Sequence, residues 1–242
     1  VNGSNFIGPE QKFLSAYLEL LPTMNARLPT SLDIIDLHNR CLSSEGWPHA
    51  ADLALGEPLW RWIKTNHHNN CQLWAEEDLA RRTRVSDSEI ASNKRRIDGF
   101  NQARNDATER VDELLLVELG LVNAASARSD TPLSTAESAG KGRRLNSETA
   151  GSMVDRLSIL SLKINAMRAQ TQRTDVDDAH RQTSRAKLER LLEQRSDLAA
   201  CFDELLLDCQ AGRAYFKVYR QFKMYNDPQF NPALVAERAS SS

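Results

Sequence analysis

Residues 66–112 read NHHNNCQLWAEEDLARRTRVSDSEIASNKRRIDGFNQARNDATERVD, and their periodicity decides the fold class. At 100° per residue, Trp60, Ile63, His67, Asn70, Trp74, Glu77, Asp78 and Arg81 share one helical stripe, aromatic and apolar first, ionic after. Ser86-Asp87-Ser88-Glu89 is an S-x-x-E capping box that opens a second helix, expected to reach about Leu119. Along it Ile90, Ile97, Phe100, Val111 and Leu115 form the apolar stripe. Lys94, Asp98, Asn101, Asn105, Glu109 and Asp112 run along its border. Two asparagines four residues apart oppose helix propensity, because their amides compete for backbone partners, so specific hydrogen bonding is expected there. Arg104 falls inside the apolar stripe and should need a partner, most simply a carboxylate from the preceding helix.

Working outward, helices are expected over Pro9–Leu21, from Thr30 or Ser31 to the Gly46-Trp47-Pro48 break, and from Glu57-Pro58 to about Arg82. Residues 120–148 are small and polar and read as a mobile connection. A helix over Ser152–Gln172 is apolar on two sides, which places it at the centre of a bundle. Its Asp155 and Lys163 should then be partly buried and reach neighbouring helices. A last helix is expected from Asp177 to Tyr225, kinked near Gly212. Leu188, Leu191, Arg195, Leu198, Phe202, Leu205, Cys209, Gly212, Phe216 and Tyr219 form its heptad seam. That seam serves either internal packing or a homodimer. The reading is all-α: a bundle of long helices with a C-terminal heptad-patterned helix. Residues 1–56 pack on the core, 57–235 form the main bundle, and 236–242 fray.

Composition agrees. The 242 residues carry 10 Gly, 8 Pro, 26% charged residues and a formal charge of −2, so no global field favours nucleic acid. No apolar run approaches a membrane span of ~20 residues, and nothing resembles a signal peptide; a cytoplasmic protein is expected. Cys41, Cys71, Cys201 and Cys209 lack CxxC spacing and read as reduced thiols. A zinc alternative pairs His38 with Cys41 and His67 with Cys71, at spacings that share a helix face.

The polar residues suggest either a ligand site or a polar bundle network. Candidate ligand-binding residues are His67, Asn70, Trp74, Glu77, Asp78, Arg81, Lys94, Asp98, Asn101, Arg104, Asn105, Asp112, Asp155 and Lys163. Glu77, Asp78, Asp98, Asp112 and Asp155 could supply carboxylates to a helical Mg²⁺ site, and His67 could pair with Glu77 or Asp78 in acid–base work. Against an enzyme, the ExxE pattern of all-α pyrophosphohydrolases is missing, as are the P-loop, GxSxG, HExxH and GxGxxG motifs. The segment RAYFKVYRQFKMYND places Arg213, Lys217 and Arg220 among tyrosines, either as a solvated face or as a phosphate grip.

The runs NHHNNCQLWAEEDLAR, IASNKRRIDGFNQARNDATERVD, LNSETAGSMVDRLSILSLKI, EQRSDLAACFDELLLD and KVYRQFKMYNDPQFNP resemble, in order, the bacterial domain of unknown function 4254 family. The resemblance covers most of Trp60–Leu234. It departs from the family pattern at Ala150, often Pro, and at Asn165-Ala166, often Tyr-His, which weakens any acid–base role for the central helix. The resemblance implies a bacterial, cytoplasmic, helical protein without assigned chemistry, encoded near glycosyltransferases of surface-polysaccharide assembly. A sugar, sugar phosphate or sugar nucleotide is therefore the expected ligand. The leading expectation is a non-catalytic binding or accessory protein in that assembly, with homodimerisation through the seam. The rival is a metal-assisted enzyme acting on a phosphorylated or nucleotide-linked sugar, with Mg²⁺ on Asp78, Asp98, Asp112 or Asp155.

Overall fold

A computed structural model describes residues 28–54, 56–134, 142–220 and 227–240. The helix expected over Pro9–Leu21 lies outside the described residues. Among those described, the elements in chain order are α1 (Ser31–Ser43), α2 (Pro58–Ala80), α3 (Asp87–Glu118), β1 (Arg144–Leu145), α4 (Ala150–Thr171), α5 (Asp178–Gln210), β2 (Ala214–Tyr215) and α6 (Pro232–Ser240). The protein is an all-α bundle, and no described helix is long and apolar enough to cross a membrane.

Side-chain caps set the helix starts. Thr30 and Asp33 form a reciprocal capping box on α1, and Ser86 and Glu89 do the same on α3. Thr149 caps α4 and Asp177 caps α5, each through its side-chain oxygen. Pro58 opens α2, where its missing N–H goes unneeded.

Helices α2 and α3 pack as one antiparallel hairpin and α4 with α5 as a second; α4 also touches α1, α2 and α3. The central position predicted for this helix is observed. Its buried Met153, Val154, Leu157 and Leu160 join one core with Val111 and Leu115 of α3, Ile63 of α2, Ile34 of α1, and Leu198, Phe202 and Leu205 of α5. Lys163 departs from expectation: it is exposed, because it lies on the strip of α4 that the other helices leave open. Asp203 of α5 ties down the start of α1, accepting from Ser31 N at 2.8 Å and Ser31 Oγ at 2.6 Å.

The last long helix ends fifteen residues earlier than predicted, at Gln210 rather than Tyr225. Gly212 is a terminator rather than a kink. It sits at φ +70°, and Arg213 N reaches back to Asp208 O at 2.8 Å, the bond pattern of a Schellman stop. Beyond it, β2 pairs in parallel with β1, Arg144 opposite Ala214 and Leu145 opposite Tyr215. Phe216 and Tyr219 therefore leave the seam. Leu198, Phe202, Leu205 and Cys209 are buried within this one chain, so these seam residues are not available to hold a dimer.

Arg213, Lys217 and Arg220 do not share a helical face, because no helix runs through them. Arg213 pairs with Asp208 at 2.6 Å, and Lys217 sits over the Tyr215 ring. Arg220 bonds Glu109 at 2.9 Å and Glu113 at 2.5 Å, and also reaches the carbonyls of Ala127 and Ser129. It thus fastens the segment after α3 onto the bundle. Residues 120–134 of the expected mobile connection carry turns of their own, with Leu121 and Ala127 buried. The C-terminal stretch from 236, expected to fray, continues α6 as far as Ser240, without a buried residue.

Candidate functional site

Between the second half of α2, the first half of α3 and the middle of α4 lies a groove of about 450 Å³. Asn70, Trp74, Glu77, Asp78 and Arg81 line it from α2; Lys94, Asp98, Asn101 and Arg104 line it from α3. All of these were singled out by periodicity. The hydrophobic part of the lining is Leu73, Ile97 and Ile159, of which periodicity places Ile97 in the apolar packing stripe and none in a site. Heptad reasoning assigns such residues to packing, and nothing in their spacing separates a groove floor from a core.

Beneath the lining, and joined to it through Asn70 and Arg104, lies a hydrogen-bonded network between α2, α3 and α4. Asp155 Oδ1 accepts from Asn66 Nδ2 and Asn70 Nδ2, each at 2.8 Å. Asn66 also donates to Thr108 Oγ1 at 3.1 Å, and Asn70 faces Ser158 Oγ at 3.0 Å and Asn66 Oδ1 at 3.2 Å. Asn66 and Asn70 are both buried, and each amide nitrogen finds acceptors in the network. Asp155 and Ser158, three residues apart on α4, present acceptors to that pair. Ser158, Thr108 and the structural role of Asn66 escaped the sequence reading, although the i, i+4 spacing of Asn66 and Asn70 was the same signal read at Asn101 and Asn105.

Arg104 finds its carboxylate on α4 rather than on the preceding helix: Nε stands 3.9 Å from Asp155 Oδ1, and a terminal nitrogen donates to Asn105 Oδ1 at 3.0 Å. The α2 carboxylates lie a turn or more too far along the hairpin to reach it. At the mouth, Arg81 and Glu77 form an exposed i, i+4 pair at 3.5 Å, a contact of small energetic weight. Asp78, Lys94 and Asp98 have no ion-pair partner among the described residues. Trp74 stands at the rim, 36% exposed.

Five candidate residues do not line the groove: Asp155, which lies in the network just described, and four others. Asn105 is buried beside Arg104. Lys163 lines two neighbouring hollows between α4 and α5. Asp112 is buried at the crossing of α3 and α4, accepting from Gly151 N at 2.6 Å. Burial pushes its carboxyl up to about 7, against the opposing hydrogen bonds from Thr149 and Gly151. His67 is fully buried behind the network, with Nδ1 2.8 Å from Ser158 Oγ. It is neither beside Glu77 nor beside Asp78, so no carboxylate–histidine pair forms. The stripe containing it is wide enough that its early turns face the core and its later turns face the groove.

His67 belongs to a buried stack instead. Its ring lies 4.4 Å from that of His38 and 5.7 Å from that of Trp47. Trp47 Nε1 donates to Cys71 Sγ at 3.2 Å. Burial holds the His67 imidazole down to about 4 and His38 well below its ordinary value. It also pushes the Cys71 thiol up to about 12 and raises that of Cys41. The residues of the zinc alternative thus cluster as a neutral stack, an arrangement that disfavours the thiolate a metal needs. Among the described residues no group of three His, Cys, Asp or Glu side chains is disposed to hold a metal ion.

These shifts set a pH dependence. His38 and His67 are depressed, so the unfolded chain binds more protons than the folded one as pH falls below 6.5, and stability is lost down to about 4. Asp112 is raised, so its contribution is present below 3.8 and lost as pH rises through about 7. Two histidines oppose one carboxyl, and the net expectation is lower stability at pH 5 than at pH 7. Asp112→Asn, which keeps an acceptor for Gly151 N, should steepen that loss. Urea unfolding at the two pH values tests this; equal wild-type stability at both would refute it.

Neither curated proteins nor solved structures include a match to the chain. The family model described as protein of unknown function (DUF4254) matches residues 60–218, which takes in α2 from its third residue, the elements from there through β2 and every residue lining the groove. The chain belongs to that family.

Proposed function

We propose that the chain is a non-catalytic binding protein that holds a sugar phosphate or sugar nucleotide in the α2–α3–α4 groove, as a cytoplasmic accessory to cell-envelope glycan assembly. The observation that supports this is the lining: cations, carboxylates and amides on opposing helices, with an indole at the rim. A volume of about 450 Å³ suits a small ligand, and sites of this kind combine a few convergent polar groups with apolar lining, here Leu73, Ile97 and Ile159. Lys94 and Arg81 offer charge to a phosphate, Asn101 and Asp98 offer partners to hydroxyls, and Trp74 offers a face to a ring.

The rival, a metal-assisted enzyme on the same ligand class, draws on Asp78 and Asp98, which face the groove from different helices without ion-pair partners among the described residues. Asp112 and Asp155 are committed elsewhere, to Gly151 N and to the two asparagines. A thermal-shift panel of hexose phosphates and sugar nucleotides, each with and without Mg²⁺, separates the readings. A rise in Tm independent of Mg²⁺ supports the binding protein; a rise that requires Mg²⁺ supports the enzyme. No response across the panel would overturn both.

A further inference from the structure

We infer that the inner end of the groove recognises a hydroxyl group of its ligand, so that a phosphorylated ligand enters hydroxyl first with its phosphate at the mouth; this rests on the binding reading above. Among the described residues, two solvent-shielded polar atoms beside the groove lack a hydrogen-bond partner: Oδ1 of Asn70 and Nε of Arg104. Asn70 is only 1% exposed, yet it lines the groove.

The Asn70 amide has one workable orientation. Its Nδ2 faces Asp155 Oδ1 and Asn66 Oδ1, and turning the amide over would set oxygen against both of these acceptors. Oδ1 is therefore an unfilled acceptor. Arg104 Nε is a donor only, and its 3.9 Å separation from Asp155 Oδ1 exceeds hydrogen-bond length. The unfilled acceptor belongs to the amide that donates to Asp155 Oδ1, and the unfilled donor lies 3.9 Å from that same oxygen.

A neutral hydroxyl both accepts and donates, so a ligand that carries hydroxyls can answer both kinds of atom. A fully ionised phosphate could accept from Arg104 but has nothing to donate to Asn70, and it would stand beside the Asp155 carboxylate. An ammonium could donate to Asn70 but cannot accept from Arg104. At the mouth the balance reverses. Lys94 has no ion-pair partner among the described residues, and Arg81 holds Glu77 at only 3.5 Å. The ligand class is thus a polyol or sugar phosphate, oriented with its ring towards α4 and its phosphate between Arg81 and Lys94.

The test observes the Arg104 Nε–H by ¹⁵N-correlated NMR, assigned by its disappearance in Arg104→Lys. Probes are glucose, galactose and mannose 1-phosphates, the three free hexoses and inorganic phosphate. At least one hexose phosphate, and more weakly its free hexose, should move the Nε–H resonance, while inorganic phosphate leaves it in place. Arg104→Lys, which keeps the charge but removes that donor, should weaken hexose-phosphate binding about tenfold. Lys94→Met should weaken it while sparing the free hexose.

A resonance that inorganic phosphate moves, or that none of the probes moves, overturns the proposed orientation. Hexose phosphates that raise Tm without moving the resonance overturn it too, and leave the binding reading standing. If neither hexose phosphates nor sugar nucleotides raise Tm, the binding reading itself has failed.

Discussion

Gly151→Ala is expected to destabilise the protein by about 3 kcal/mol, at the upper end for overpacking a close helix contact. A Cβ built at Gly151 would lie 2.5 Å from Thr108 O and 2.8 Å from Asp112 Cγ. The first of these is a backbone atom in mid-helix, so α3 and α4 would have to separate. Separation would stretch the 2.6 Å bond from Gly151 N to the buried Asp112 carboxyl and lower the packing of Val111, Leu115, Val154 and Leu157. For a chain of this size the loss corresponds to a fall in Tm of roughly 10 °C. Thermal unfolding followed by circular dichroism measures it. An unchanged Tm would mean that the two helices do not cross at this distance. Gly99, whose added Cβ would meet nothing within 4 Å, is the matched control. At Gly99 alanine should be neutral or slightly stabilising, because it restricts the unfolded chain.

Most of the fold was legible because it depends on local rules. The starts of α1 and α3 follow from Thr30 and Ser86, whose side chains do the capping the sequence suggests. Helix α4 is central because apolar residues on both of its sides leave it no other place to be buried. The failure at the end of α5 has an equally local cause. A heptad pattern continued through Gly212 to Tyr219, but a glycine followed by backbone bonds into the last turn ends a helix whatever the hydrophobic period beyond it. Phe216 is buried after all, in the extended segment that follows β2. At Phe216 the pattern marked burial correctly and conformation wrongly; at Tyr219, which is 65% exposed, it marked neither.

The candidate groove was legible along α2 and α3 because both helices are amphipathic and pack side by side, so polar edges on each must meet. Depth was not legible. Along the α2 stripe His67 and Asn70 are buried while Glu77, Asp78 and Arg81 reach solvent, and one wheel projection cannot record where α4 crosses. The same blindness put Asp112 in the site, when Gly151 of α4 draws it into the helix crossing instead. Residues that act across helices, such as Ser158 with His67, carry no spacing signal at all.

Asp155→Ala should lower stability by about 2–3 kcal/mol, the cost of leaving buried donors without their acceptor, reduced because the carboxylate is itself partly exposed. Asn66 Nδ2 and Asn70 Nδ2 both lose a 2.8 Å partner, and Arg104 loses the only carboxylate near it among the described residues. Asp155→Asn retains one acceptor oxygen and should recover part of that loss. Asp98→Ala, on the exposed wall of the same groove, should stay within about 0.5 kcal/mol of wild type. Ligand response should divide the other way among the folded variants, with Asp98→Ala impairing it while stability holds. Parallel denaturant melts of the three variants decide the matter. Equal losses at Asp98 and Asp155 would mean that the groove wall is part of the scaffold, and the lining would then no longer argue for a site. A large loss at Asp155 with none at Asp98 means that α2, α3 and α4 build a rigid polar network from side chains that hold one another, and leave the wall's charges free for something else.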